Sequence, residues 1–311
     1  MNILITGANG FVGRVLLRKL LTANPLARLC LVDVAFDQPP QDGRVTQITG
    51  SIADSGVLAA VWEMQFDLVF HLASVPGGAA EKNFELGLAV NLQASIALLE
   101  GLRHQARPAR LVFSSTVAVY GSPLPPLIHD ATRAAPVMSY GAHKLAVEVL
   151  IEDYSRRGWV EGISLRLPGI VARPPGPSGL LSSFMSELFW RLAEGRAFTC
   201  PVSPAATAWW MSVECCVWNL LHAASLPAAM LAERRSYLLP VRHLSMAAII
   251  DGLAATFGED RRALVRFDPD PALEASFGAQ PPLHADSATV AGFRHDGSVA
   301  DLIANALMHG R

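Results

Sequence analysis

The amino-acid sequence predicts an α/β fold, a doubly wound parallel sheet with a smaller C-terminal domain threaded into it. Three observations predict this. Short apolar runs alternate with stretches of helical period through the first half of the 311 residues. The first of those runs passes straight into Gly7-Ala8-Asn9-Gly10-Phe11-Val12-Gly13. After Arg166 the alternation stops and proline-bearing segments take over.

The strand candidates are Asn2–Thr6, Ala27–Asp33, Thr46–Thr49, Leu68–Ala73, Arg110–Ser114 and Gly162–Leu167. All are short and mostly apolar, as strands covered on both faces must be. Between them, Val12–Leu21, Gly56–Met64, Phe84–Arg103 and Tyr140–Arg157 carry apolar residues at helical spacing. Strict alternation of the two implies a parallel sheet with helices on both sides. Beyond it, the proline-rich stretch Pro168–Ser178 precedes a helical pattern at Leu180–Glu194. A polar loop at Thr199–Ala208 leads into a helix near Val213–Ala224, Ser236–Pro240 reads as one more strand, and Ser245–Phe257 as a helix. The tail, with Pro269, Pro271, Pro281 and Pro282, reads as loop. The larger domain is expected to span residues 1–167 with returning segments at about 209–240, and the smaller one residues 168–208 and 241–311.

Composition narrows the class. Hydrophobic residues make up 51% of the chain and charged ones 17%, which suits a well-packed enzyme. A net charge of −2 without a basic block argues against nucleic acid or an anionic membrane as partner. Arg156-Arg157, Arg234-Arg235 and Arg261-Arg262 are isolated pairs that read as solvated faces or helix ends. The four cysteines, Cys30, Cys200, Cys215 and Cys216, form no C-x-x-C and read as free thiols of a reducing compartment. No His/Cys cluster has the spacing of a metal site. The N-terminus lacks the basic region of a signal peptide, and no apolar run is long enough to span a membrane. A cytoplasmic protein is expected.

The glycine loop points to a ligand. Its glycines allow a tight turn and a close approach of backbone to a pyrophosphate seated at a helix N-terminus. With a strand before it and a helix after it, this is the dinucleotide-binding turn of a Rossmann-type fold. Asp33 closes the second strand twenty residues beyond Gly13. A carboxylate there accepts hydrogen bonds from ribose hydroxyls and repels a 2′-phosphate, which favours NAD over NADP. The alternative is that Asp33 merely opens the turn before Pro39-Pro40.

Tyr140 and Lys144 lie four residues apart at the start of a helical pattern, so they share one face of it. A phenol beside a cation can serve as a general acid or base. Upstream, the fifth strand ends in Ser114-Ser115-Thr116, hydroxyls delivered to the end of the sheet where ligands bind. His71, Tyr120 and the Trp209-Trp210 pair read as packed residues.

Together these motifs, with Asp54, His71-Leu72-Ala73-Ser74 and Asn91, resemble the extended short-chain dehydrogenase/reductase family, the NAD-dependent epimerases and dehydratases. The resemblance implies an NAD-binding Rossmann domain and roles for its residues. Tyr140 is the implied acid/base, and Lys144 binds the nicotinamide ribose and lowers the phenol's pKa. Thr116, 24 residues before Tyr140, takes the place of the catalytic hydroxyl, with Ser115 as the neighbouring alternative. The implied cofactor contacts are Gly7, Asn9, Gly10, Phe11, Val12, Gly13, Asp33, Ile52, Asp54, Leu72, Ala73, Ser74, Asn91, Ser114, Tyr140, Lys144 and Pro168. Asp54 is equally readable as a helix N-cap and Asn91 as a buried polar residue. The family also implies a homodimer built on the Asn91–Arg103 and Tyr140–Arg157 helices.

Two departures bear on the substrate. Nucleotide-sugar epimerases carry an asparagine after the sixth strand, where this chain has Gly169. They also carry an arginine before the later aromatic segment, which is absent from Thr207-Ala208-Trp209-Trp210-Met211-Ser212-Val213. The chain is most similar to the D-erythronate dehydrogenase subgroup, through Phe84-Glu85-Leu86-Gly87-Leu88, Asp153–Gly158, Ala172-Arg173-Pro174, Ser182-Ser183-Phe184 and Asn219–Ala224. That resemblance implies oxidation of a small 2-hydroxy sugar acid to its 2-oxo acid. Arg173 and Ser182 are candidates for the substrate carboxylate, with Ser74, Ser115 and Thr116 as hydroxyl contacts, although Arg173 reads equally well as a loop arginine. The rival readings are a nucleotide-sugar epimerase or uronate dehydrogenase of the same fold, and an NAD-sensing protein without catalysis.

Overall fold

Asn2–Thr6 (β1) is mostly apolar, and all but its first residue is buried, so it takes an interior place in a seven-stranded sheet. The structure, a computed structural model, describes residues 1–37, 41–176 and 180–308. Pro39, Pro40, Pro177 and Ser178 lie outside these. Arg28–Asp33 (β2) and Leu68–His71 (β4) pair in parallel with β1 on either side. Val45–Thr49 (β3) continues beyond β2, and Ala109–Thr116 (β5) beyond β4. Strands Val160–Leu167 and Ser236–Leu238 complete the order on the β5 side. The winding reverses at β1, which opens a crevice at the carboxyl ends of β1 and β4.

The helices of this unit that bear on the site are α1 (Phe11–Ala23), α2 (Ser55–Val61), α3 (Gly77–Lys82), α4 (Phe84–Gly87), α5 (Ala94–Arg103) and α6 (Ser139–Arg156). Leu98, Leu99 and Leu102 of α5 and Val147 and Ile151 of α6 bury against Leu4, Val69, Leu111 and Phe113 of the sheet. The expected helix at 84–103 is not regular. Leu88–Gln93 winds as a π-helix between α4 and α5. A π-turn inserts an extra residue and turns side chains away from their α-helical directions. Here it carries the buried Asn91.

Contacts among Cα atoms divide the chain into two units. One comprises Met1–Ser122, Ala134–Arg166 and Asn219–Tyr237; the other comprises Pro123–Arg133, Leu167–Trp218 and Leu238–Arg311. The second unit overturns two readings of the sequence. Thr199–Ala208 is not one loop, because Phe198–Cys200 and Thr207–Ser212 are strands. Thr207–Ser212 pairs with Gly169–Val171 in parallel and Arg242–Ser245 in antiparallel, and its apolar run is buried on both faces. The tail is not mainly loop either, since it forms helices Pro271–Phe277, Asp286–Val290 and Val299–Leu307. Pro271 opens its helix behind the N-cap Asp270, a position that suits proline because no amide bond is lost there.

Helices Ser183–Ala193, Met246–Phe257 and Val299–Leu307 close this unit's core around Phe189, Trp210, Ile249, Leu253 and Ile303. Asp296, buried, ties Ser212 to Asn305 of the unit's last helix. Its carboxylate accepts from Ser212 N at 2.8 Å, from the Ser212 hydroxyl and from Asn305 Nδ2 at 3.1 Å. Asp296→Ala leaves the buried Ser212 amide and hydroxyl without their acceptor. The variant is expected to lose about 3 kcal/mol, read as a lowered urea midpoint.

Candidate active site

The glycine loop is shaped by backbone packed on backbone. Gly7 has φ +70°, and a Cβ there would lie 2.7 Å from Ala73 N; one on Gly13 would lie 2.3 Å from Gly7 O. Neither position tolerates a side chain. The loop thus sits directly against the segment leaving β4, and α1 begins at Gly10 without a side-chain cap, as an anion-binding helix start requires. Asp33 closes β2 with its carboxylate fixed from both sides: Asn9 N donates to Oδ2 at 2.8 Å and Val34 N to Oδ1 at 2.7 Å. This joins the glycine loop to the ribose-binding position, so these residues fit a dinucleotide.

The next wall follows β4. Thr6 Oγ1 and His71 Nδ1 are 2.7 Å apart, and His71 Nε2 lies 2.9 Å from Ser95 Oγ. His71 is buried, and desolvation, with the charge of Lys144 second, holds its pKa down at about 3. It is a packed neutral residue, as the sequence suggested. Asn91 spends its amide on the loop after β4: Oδ1 accepts from Val75 N at 2.8 Å and Ser74 Oγ at 3.1 Å, while Nδ2 donates to Val75 O at 3.0 Å. Its place is that of a clamp on Ser74 and Val75. Asp54 is exposed and caps α2, accepting from Gly56 N at 2.7 Å. Ile52 is buried with Leu58 and Ala94.

Ser74, Thr116, Tyr140 and Lys144 come together. Thr116 ends β5, and its hydroxyl also accepts from Ala118 N at 3.1 Å. Burial raises the Tyr140 pKa, while hydrogen bonds with Ser74 and Thr116 pull it down. Lys144 is 1% exposed, and its Nζ donates to Ser114 O at 2.8 Å, 4.6 Å from the Phe113 ring and 5.8 Å from that of Tyr140. Desolvation brings Lys144 down to about 7, against the charge of Glu148. Burial acts on both groups, and the relief at Tyr140 comes from two hydroxyls.

Ser115 does not join them. It is buried and donates to Glu148, because alternation along β5 turns its side chain to the opposite face from Ser114 and Thr116. Ser114 donates to His71 O at 3.0 Å and offers its carbonyl to Lys144. Pro168, Arg173 and Ser182 belong to the second unit. Pro168 is buried, Arg173 has its carbonyl held by Trp190 Nε1 at 2.8 Å, and Ser182 precedes helix Ser183–Ala193 without capping it. Trp209 and Trp210 are packing residues whose indoles donate to Pro281 O and Leu244 O. The sequence reading missed Glu148 and Arg166. A carboxylate four residues after Lys144 on an otherwise apolar helix face was the available signal.

Known proteins agree with this geometry. Residues 3–214 match the model of the NAD dependent epimerase/dehydratase family. A D-erythronate dehydrogenase of Cupriavidus necator is 40% identical, over 97% of this chain and 97% of that protein. One from Haemophilus influenzae is 32% identical, over 97% and 98%. A nucleoside-diphosphate-sugar epimerase from Agrobacterium tumefaciens shares the fold with a TM-score of 0.93 and 31% identity, covering 99% of this chain and 94% of that one.

The buried Lys144 has a consequence for stability. Its amine titrates near 10.5 unfolded and about 7 folded, so between these values the unfolded chain holds a proton that the folded one has released. Stability therefore rises with pH across that window. Lys144→Met removes the dependence, and its advantage over the parent is expected to be largest below about pH 7 and to shrink toward about pH 10 in urea titrations.

Proposed function

The chain belongs to the NAD dependent epimerase/dehydratase family, and from that premise we propose that it oxidises a small 2-hydroxy sugar acid of the D-erythronate type to the 2-oxo acid. It is an enzyme of the extended short-chain dehydrogenase/reductase kind. The observation that carries the reading is the meeting of Ser74, Thr116 and Tyr140 beside the buried Lys144. The full-length similarity to two D-erythronate dehydrogenases supports the substrate class.

Oxidation removes a proton from the C2 hydroxyl and a hydride from C2. Bound NAD supplies the hydride acceptor, the C4 position of its nicotinamide ring. Thr116 and Ser74 orient the hydroxyl, and Tyr140 takes its proton. Asp33, anchored by two amides, holds the adenosine ribose and disfavours a 2′-phosphate, so NAD is preferred to NADP. Lys144 holds the nicotinamide ribose, and Asp54 contacts adenine with the carboxylate oxygen its cap leaves over. Arg173 and Ser182 are the candidates for the substrate carboxylate. Phe84, Leu86, Ile96 and Val149 leave apolar side chains exposed on the α4, α5 and α6 surfaces, in keeping with a homodimer.

Tyr140 and Lys144 titrate as a pair. Burial holds the phenol above its ordinary range and brings the amine to about 7, so the first proton leaves Lys144. Oxidation needs the singly protonated pair in the form that carries its proton on the amine, so that the phenolate can take the substrate's, and kcat is expected to rise with pH through about 7. Tyr140→Phe should abolish turnover while leaving NAD affinity within about twofold, read by NADH absorbance and calorimetry. A panel of aldonic acids, uronates and UDP-sugars separates the sugar-acid reading from the epimerase one. Turnover by the Phe variant, or no reduction of NAD by any acid, would contradict the proposal.

A further inference from the structure

Glu148 stands one helical turn beyond Lys144 on α6 and is 2% exposed, where an unpaired carboxylate would be costly. Arg166 answers it, donating from Nη2 to Oε2 at 2.7 Å and from Nε to Oε1 at 3.1 Å. Ser115 donates its hydroxyl to Oε1. Arg166 also donates from Nη1 to the Tyr120 hydroxyl at 3.0 Å. Burial alone would lower the guanidinium's pKa, but Glu148 and Tyr120 hold it well above the ordinary arginine value. These partners flank the reacting groups. Ser115 precedes Thr116, and Tyr120 closes the turn Val117–Tyr120 that follows it. Lys144 grips the carbonyl of Ser114 while Glu148 grips the hydroxyl of Ser115. Two successive residues of β5 are thereby fastened to successive turns of the helix that carries Tyr140.

We propose that Glu148 is a positioning residue for the reaction: clamped by Arg166 and Ser115, it sets the register of α6 against the end of β5, so that Tyr140 and Thr116 meet with Lys144 beside them. The proposal rests on the dehydrogenase reading above. A buried ion pair contributes little net stability, whereas paired bonds to adjacent strand residues fix position. The carboxylate also acts through space. Lys144 faces Glu148 on its own helix, His71 of β4, the Phe113 ring of β5 and Tyr140, and Arg166 is paired with Glu148. His71, held near 3 by burial, is neutral, so Glu148 is the charge that opposes desolvation at Lys144.

The chain has three lysines, Lys19, Lys82 and Lys144, so lysine-selective 13C labelling gives three side-chain signals. Loss in K144M identifies the third. The Lys144 titration and the pH profile of kcat are followed in the parent and in Glu148→Gln. Both the Lys144 midpoint and the acid limb of kcat are expected to move down by about one pH unit. An unmoved midpoint overturns the action of Glu148 on Lys144, and a Glu148→Gln kcat within about twofold of the parent overturns its positioning role. Ser115→Ala leaves the Glu148–Arg166 pair in place and tests register separately, including the case in which Glu148→Gln does not fold. It should lower kcat about tenfold with the Lys144 midpoint and the KM for NAD unchanged. A kcat within about twofold of the parent overturns the register role. If the parent oxidises no sugar acid, the dehydrogenase reading has failed, and the titration still decides whether Glu148 governs Lys144.

Discussion

A lysine amine in a place that is 1% exposed, bonded to the carbonyl of Ser114, sets the terms for everything around it. Bringing that amine out of water is unfavourable for its charge, and the surroundings offset the cost in part. The Phe113 ring lies under the amine, Glu148 is one turn away, and His71 is kept neutral at about 3. The result is an amine brought to about 7, beside a phenol that burial raises and the Ser74 and Thr116 hydroxyls pull down. Acid/base chemistry here belongs to the pair and its surroundings, and neither residue could be assigned its protonation alone.

The second constraint is backbone contact. Gly7 and Gly13 leave no room for a Cβ because the glycine loop packs on Ala73 and on itself. The same contact brings the end of β1 against the segment that leaves β4. Asn91 fastens the following residues, Ser74 and Val75, from a π-helical turn that redirects its side chain inward. The dinucleotide loop, the Ser74 hydroxyl and the end of β4 thus form one continuous surface. A regular α-helix through 88–93 would point residue 91 elsewhere.

Where the sequence misled, a local signal had two meanings. Prolines near the C-terminus read as loop, yet Pro271 starts a helix capped by Asp270, and Ser298 with Asp301 forms a capping box for the last helix. Trp209-Trp210 read as packing and proved to be packing, but on a strand. An apolar run buried on both faces shows no alternation that would distinguish it from a helix segment. Ser115 and Thr116 stand as alternatives in the sequence because neighbouring hydroxyls look equal in one dimension. Strand alternation separates them, sending Thr116 to Tyr140 and Ser115 to Glu148.

The sequence by itself determined the order of strands and helices in the first half, the glycine loop, Asp33 and the Tyr140–Lys144 pair. Each is local: a spacing, a period or a residue type fixed by backbone geometry over a few positions. Only the tertiary structure decided what depends on residues far apart in the chain. Arg166 meets Glu148, Ser74 meets Asn91 and Tyr140, and Asp296 meets Ser212 across separations that no periodicity encodes. It also decided the protonation of Lys144. That follows from how many atoms surround the amine, and only the folded chain puts them there.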